Sequence, residues 1–331
     1  MSRNRSWLLW TPFMAAGLVL TAWYYVWWSA AETLRSALAG FAADQAHSGA
    51  TVTYAPLRAK GFPFFLRGEL GAVSYGRGEG RLEAGTKYEA DREHTNIAWG
   101  GCRWEADAVH LHAMPWAPDR IVLSTSPSMR LRAPGGEWII RTDGARASVE
   151  TTASGWLFKA EAASLDGARN GASFVTGRGV INVMPDGVEP GAVAASFRLF
   201  GATLRNSRGE AKIARLDGAL AIEPVARRVA VHGVDGEIGE ARVQLSGVLA
   251  ADSAGFAEGA LAANLTNPAD LVRALRVLAV IKAEDAVPLE AGLALIAAGV
   301  GGTIEAPLVF SDGETKLAGL KLGKAPRLGQ P

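Results

Sequence analysis

His110 and His112 stand two residues apart in the run Ala108–His112, and Met114 follows at the same spacing. Alternate side chains of an extended strand face the same way, so the three would line one face. Two imidazoles and a thioether could hold copper. Two histidines are few for a metal centre, and an ordinary polar strand face accounts for them more simply. No metal and no other cofactor is expected. His47, His94 and His232 stand singly and receive no role. Cys102, the single cysteine, reads as a small packed side chain, a reactive thiol being the alternative. One cysteine excludes an internal disulfide framework and any multi-cysteine zinc or iron–sulfur centre.

The usual catalytic spellings are missing. The chain has no Gly-x-Ser-x-Gly elbow, no His-Glu-x-x-His helix and no Gly-Lys-Ser/Thr phosphate loop. Gly76, Gly78 and Gly80 alternate without the spacing that brings a helix N-terminus onto a pyrophosphate. No catalytic residue is assigned, and the chain is read as non-enzymatic. Its charge points away from nucleic acid: 34 Lys+Arg against 33 Asp+Glu leave a net +1. Basic residues gather from Arg198 to Arg228, where acidic ones interleave them, and again at Lys316, Lys321, Lys324 and Arg327. The first group reads as a solvated face; the second could touch anionic lipid or a partner.

The aromatic residues are more telling. Gly61-Phe62-Pro63-Phe64-Phe65 sets three phenyl rings around a rigid proline, and Met114-Pro115-Trp116-Ala117-Pro118 does much the same between two strands. Such residues either plug a core and orient neighbouring strands or form the apolar rim of a groove for a lipid or other amphiphile. Phe62, Phe64, Phe65, Trp104 and Trp116 are the candidate residues.

Several elements must position them. No charge interrupts Ser6 to Ala31, a stretch of about 39 Å as a helix and long enough to cross a bilayer with tilt. Trp7 and Trp10 sit at one end, and Trp23, Tyr24, Tyr25, Trp27 and Trp28 crowd the other, where aromatic rings favour headgroup depth. Arg3 and Arg5 before the stretch and Glu32 after it place the N-terminus in the cytoplasm and the remainder outside. A cleaved signal peptide ending at Ser29-Ala30-Ala31 is the competing reading. Leu34, Leu38 and Phe41 then continue a helical stripe to about Ala46. The expected division is a tip and transmembrane anchor over 1–31, a stalk helix over 32–48 and a β-rich domain over 49–331.

After Gly49 the apolar period changes to two. Strands are expected at Thr51–Tyr54, Ala108–His112, Arg120–Leu123 and Glu137–Ile140. Asp-Gly pairs begin at Asp143, Asp166, Asp186, Asp217, Asp235 and Asp312, and each is expected to turn a hairpin. Two stand in an identical Leu-Asp-Gly-Ala context, at Leu165 and Leu216. Helices return at Asn267-Pro268 and from about Pro288 to Gly299, followed by strands near Ile304–Phe310 and Lys316–Leu322. The fold class expected is mainly β: an N-terminal transmembrane helix and a long curved antiparallel sheet of successive hairpins, open trough or sandwich, with a C-terminal helix pair packed on it.

An N-terminal anchor, Gly61-Phe62-Pro63-Phe64, Trp104 and Ala113-Met114-Pro115-Trp116-Ala117-Pro118, then a helix pair before Gly319-Leu320-Lys321-Leu322-Gly323 and Pro326-Arg327-Leu328, together resemble a bacterial domain-of-unknown-function family, numbered twenty-one twenty-five. The resemblance spans nearly the whole chain. It implies a single-pass inner-membrane anchor, a periplasmic β-rich domain and no established catalytic residues. Gly236-Glu237-Ile238 through Gly247-Val248-Leu249, with Gly255 and Gly259-Ala260-Leu261, is more loosely similar to AsmA-type envelope proteins, whose curved sheets have apolar interiors. The function expected is non-catalytic binding or transfer of a lipid or amphiphile in a β-sheet groove. The alternative is an assembly factor that binds another cell-envelope protein.

Overall fold

The computed structural model describes residues 6–47, 49–77, 102–114, 116–133, 136–153, 155–169, 171–278, 281 and 283–328. Its first element is one unbroken helix, α1 (Ser6–His47), which runs straight through the division expected at Ala31. At 1.5 Å per residue it is about 63 Å long.

Strands follow in hairpin order: β1 (Ala50–Thr53), β2 (Arg58–Lys60), β3 (Leu66–Arg77), β4 (Cys102–Met114), β5 (Ala117–Thr125), β6 (Ser128–Ala133) and β7 (Gly136–Asp143). Next come β8 (Arg146–Thr152), β9 (Gly155–Ala162), β10 (Ser164–Arg169), β11 (Ala172–Thr176), β12 (Gly179–Pro185) and β13 (Val193–Asn206). Then β14 (Gly209–Glu223), β15 (Arg228–Ile238), β16 (Ala241–Ala251) and β17 (Ala257–Thr266) lead to α2 (Pro268–Val277) and α3 (Ala283–Gly299). The chain closes with β18 (Thr303–Ser311), β19 (Glu314–Leu317) and β20 (Leu320–Lys324). All twenty strands belong to one antiparallel sheet, as expected of a chain with period-two patterning and many glycines.

The sheet divides and rejoins. β4 pairs with β6 through Arg103–Ala106 and with β5 through Val109–Met114. Two rows of four strands leave it, β5-β8-β9-β12 and β6-β7-β10-β11, and both meet β13. The chain passes between the rows at Ser126-Pro127, Gly144-Ala145, Ala163 and Gly177-Arg178, so each hairpin arm is a long strand interrupted in the middle. The ladder is stitched across the interruptions by single bonds, among them Thr142 N–H to Pro127 O at 2.9 Å and Ala163 N–H to Asp143 O at 3.3 Å. Gly144 takes φ 70° at one crossing, a conformation that favours glycine.

Following the register from strand to strand gives the sheet two chemically distinct faces. Direct partners in an antiparallel ladder project to the same side. One line reads Leu66, Ala113, Ile121, Val149, Phe158, Val183, Ala195, Leu220, Val231, Gly247, Leu261, Leu308 and Leu317. Two residues along, a second reads Leu111, Leu123, Ala147, Ala160, Ile181, Phe197, Gly218, Val234, Leu245, Ala263 and Ala306. Neither contains a polar side chain. The line on the opposite face runs Arg67, His112, Val122, Ser148, Lys159, Asn182 and Ser196, and is largely polar.

Helices cover the apolar face only at its two ends. Trp27, Ala31 and Leu34 of α1 pack with Leu66, Ala113 and Ile121, and Leu38 reaches Leu70, Val109 and Leu111. At the other end Val272, Leu289 and Leu293 of α2 and α3 bury against Leu265, Ile304, Leu317, Leu245 and Ala263. Leu261, Phe310 and Val231 are covered by the final segment through Ala325 and Leu328.

Two expectations need correction. Asp166-Gly167, Asp217-Gly218 and Asp235-Gly236 lie inside β10, β14 and β15 rather than at turns, whereas Asp312-Gly313 does turn the β18–β19 hairpin at φ 54° and 70°. Gly167 faces Phe174 and Gly218 faces Phe197 across the ladder, and each ring fills the place a Cβ would need. The two Leu-Asp-Gly-Ala segments are therefore ring seats, not hairpin loops. α3 starts at Ala283 rather than Pro288 because Ala286 and Leu289 already belong to its buried stripe. Among the described residues no helix is long and apolar enough to cross a membrane. Of the aromatic cluster expected at the membrane end of α1, Trp23 and Trp27 are packed against the sheet domain.

Candidate functional site

Two features bear on function: an aromatic collar around α1 and the uncovered middle of the apolar face. The collar is built from chain segments far apart in sequence. Gly61 at φ 101° lets the chain double back, so that Phe65 N–H reaches Gly61 O at 3.1 Å and the Phe65 ring lies where a Cβ on Gly61 would sit, 2.5 Å from its Cδ2. The Phe62-Pro63 peptide is cis. This tight segment points two carbonyls at the helix. Trp23 Nε1 donates to Pro63 O at 2.6 Å and Trp27 Nε1 donates to Phe65 O at 2.9 Å.

The rings close the collar. Phe62 meets Tyr24 and Trp27 edge-on, with centroids 5.5 and 5.9 Å away, and Trp116 stacks on Trp23 at 6.1 Å. Such pairs add about 0.5–1.5 kcal/mol each beyond their buried area. The outer surface of the collar remains apolar and bare: Phe64 is 70% exposed and Trp116 59%, with Phe62, Phe65, Met114, Tyr24, Tyr25 and Trp28 also exposed. Phe13, Met14, Leu18, Val19 and Leu20, the part of α1 that precedes the collar, are exposed as well.

The structure thus joins two groups that the sequence presented separately. Phe62, Phe65 and Trp116 share one site with Trp23, Tyr24 and Trp27. Trp27 is buried at 8% exposure, so it is a packing and hydrogen-bonding residue of the domain rather than a free interface anchor. Tyr25 and Trp28 are in tilted ring contact, with centroids 6.3 Å apart, and both are exposed. Trp104 does not join: its indole donates to Met129 Sδ at 3.3 Å, near the opposite end of β4. The side chains of Trp7 and Trp10 lie outside the described residues. A signal for the collar was present in the sequence, because Trp23, Trp27, Ala31, Leu34 and Leu38 keep a spacing of three and four.

The second feature is a groove on the apolar face with a volume of about 390 Å³, floored by Leu123, Ala147, Ala160, Ile181 and Phe197 and bordered by Met129 and Leu165. Among the described residues, none from β8 to β13 belongs to a buried cluster. Val149 and Ile181, though inward-facing, remain 37% and 39% exposed. An apolar floor left open over several strands has the surface chemistry against which an apolar ligand could bury.

The polar face carries a separate cavity of about 420 Å³ lined by His112, Ser124, Thr142 and Arg146. Burial, with the positive charge of Arg67 and the neighbouring His110, pushes the His112 imidazole below its ordinary pKa. His110 and His112 do share a face, but among the described residues no group of three His, Cys, Asp or Glu is gathered to hold a metal ion. Cys102 is half-buried at the start of β4 and unpaired by disulfide. Gly78 and Gly80 lie outside the described residues.

No curated protein and no solved structure matches the chain. Residues 27–326, from the buried Trp27 of the collar to the final segment that covers the sheet's far end, match the bacterial family described as Uncharacterized protein conserved in bacteria (DUF2125), and the chain belongs to that family.

Proposed function

We propose that this protein is a membrane-anchored, periplasmic binding protein of the bacterial inner membrane that holds a lipid or other amphiphile in the trough formed by its apolar sheet face. The observation that carries the reading is the apolar line from Leu66 to Leu317, left open between β8 and β13. Burying that surface beneath an acyl chain is worth about 25 cal/mol per Å². A polar ligand would gain nothing there.

The collar supports the membrane part of the reading. Residues 6–22 of α1 precede it, about 25 Å of helix, close to the roughly 30 Å of a hydrocarbon core. Exposed Trp, Tyr and Phe side chains at the foot of that segment suit headgroup depth. On this reading the domain rests directly on the bilayer rather than on a stalk, since the helix beyond Trp27 is packed into the sheet. The site requires no catalytic group, and binding without chemistry is the function proposed.

The test is lipid analysis of the full-length protein purified in mild detergent, beside an Ile181→Glu variant. The wild type is expected to retain lipid and the variant to lose it while remaining folded. Equal lipid content in both would refute the groove as the site. A second reading, an assembly factor for another envelope protein, is favoured by one observation: the outward side of α3 presents Val287 and Leu295 at 72% and 77% exposure. In-cell crosslinking from Leu295 that captures one stoichiometric protein, with no lipid in the groove, would select it.

A further inference from the structure

We propose that the groove is a closed berth for a single acyl chain rather than a conduit along which lipid passes from end to end. The inference rests on the amphiphile reading above and concerns what that site can accept. A conduit needs its apolar floor open at both ends, and here both ends are stopped by packed side chains. On the near side the floor runs under α1, where Ile121 joins the buried cluster of Trp27 and Leu34. On the far side Leu245 and Ala263 lie beneath α2 and α3 in the largest core cluster, and Val231 lies against the final segment.

Between these stops the two apolar lines cross five strands in ladder order, β8, β9, β12, β13 and β14. None of the described residues of those lines on these strands belongs to a buried cluster; α2 reaches β14 only away from the floor, at Ala211. At a strand spacing of about 4.8 Å the open floor is about 24 Å long. The acyl chains of one leaflet occupy about 15 Å, half of a roughly 30 Å core. The floor therefore accepts an ordinary membrane chain at full extension and has no room for one about twice as long. Its width is set by the two apolar lines, two residues apart along each strand or about 7 Å, enough for one chain. Small side chains at Ala147 and Ala160, on the first two of these strands, deepen its near part.

The experiment uses the full-length protein in detergent with photoactivatable straight-chain fatty acids of ten, sixteen and thirty carbons, scored by mass spectrometry of the intact conjugate. The sixteen-carbon probe is expected to label at one per protein, and the thirty-carbon probe at least tenfold less. Ala160→Trp, which blocks the floor at β9 and leaves three strands or about 14 Å open beyond it, should lose the sixteen-carbon label and keep the ten-carbon one; Ile181→Trp, on β12 in the middle of the floor, serves as a second blocker if the first does not fold. Equal labelling by sixteen and thirty carbons, or several probes per protein, would overturn the closed berth while leaving the groove reading standing. No labelling at any length would overturn both.

Discussion

The indole N–H of Trp27 donates to the carbonyl oxygen of Phe65 at 2.9 Å, tying the middle of the N-terminal helix to a loop thirty-eight residues later. One turn earlier Trp23 makes the same bond to Pro63 O. These two bonds, with the rings of Phe62 and Trp116, hold the helix at a defined height on the sheet. Trp27→Phe keeps the apolar contact and leaves the Phe65 carbonyl without its partner. The expected loss is about 1 kcal/mol, against about 3–5 kcal/mol for Trp27→Ala, which also empties the site. Urea unfolding of the full chain in detergent measures both.

The same collar makes a prediction about depth. If the bare rings of Phe64 and Trp116 sit at the headgroups, Trp116 fluorescence is quenched by lipids brominated near the glycerol and much less by lipids brominated at the chain ends. A chain in which every other Trp is replaced by Phe isolates the signal. Trp116 emission that is indifferent to brominated lipid removes the collar from the membrane.

Gly167 beneath Phe174 and Gly218 beneath Phe197 are expected to resist substitution although both lie in regular strand. Gly167→Ala forces the ring to move, at a cost of about 1–3 kcal/mol. Combined with Phe174→Leu, the glycine substitution should become milder, giving a coupling energy of about 1 kcal/mol in a double-mutant cycle. Strict additivity would show that ring and glycine are independent.

His112 is expected to make the protein's stability respond to acid. Its folded-state pKa is depressed by burial, Arg67 and His110, with Arg146 across the same cavity. Protonation therefore favours the unfolded chain. The contribution is fully present above the free imidazole value of 6.5 and is lost as pH falls through the lower folded value. Stability should fall as the pH is lowered through and below the free imidazole value, and His112→Gln should flatten that slope. An unchanged slope in the variant would assign the acid response to other groups.

Local chemistry in the sequence determined a good deal. Period-two runs such as Glu137–Ile140 are strands, Asp312-Gly313 is a hairpin turn, and Asn267-Pro268 opens a helix, because each depends on neighbours a few residues away. The order Gly61-Phe62-Pro63-Phe64 to Met114-Pro115-Trp116 was enough to identify the family. Where the local signal was degenerate, only the tertiary structure could decide. An Asp-Gly pair suits a tight turn, yet at Asp166 and Asp217 a phenylalanine from the neighbouring strand claims the space over the glycine. A row of aromatics on a helix suits a membrane interface, yet Trp23 and Trp27 find two carbonyls presented by a loop that the chain forms later. The continuous apolar floor was hidden for the same reason, since Ile121, Val149, Phe158 and Val183 become one surface only when strand register sets them side by side. Contacts between residues distant in the chain depend on how strands pair, and no window of sequence contains that information.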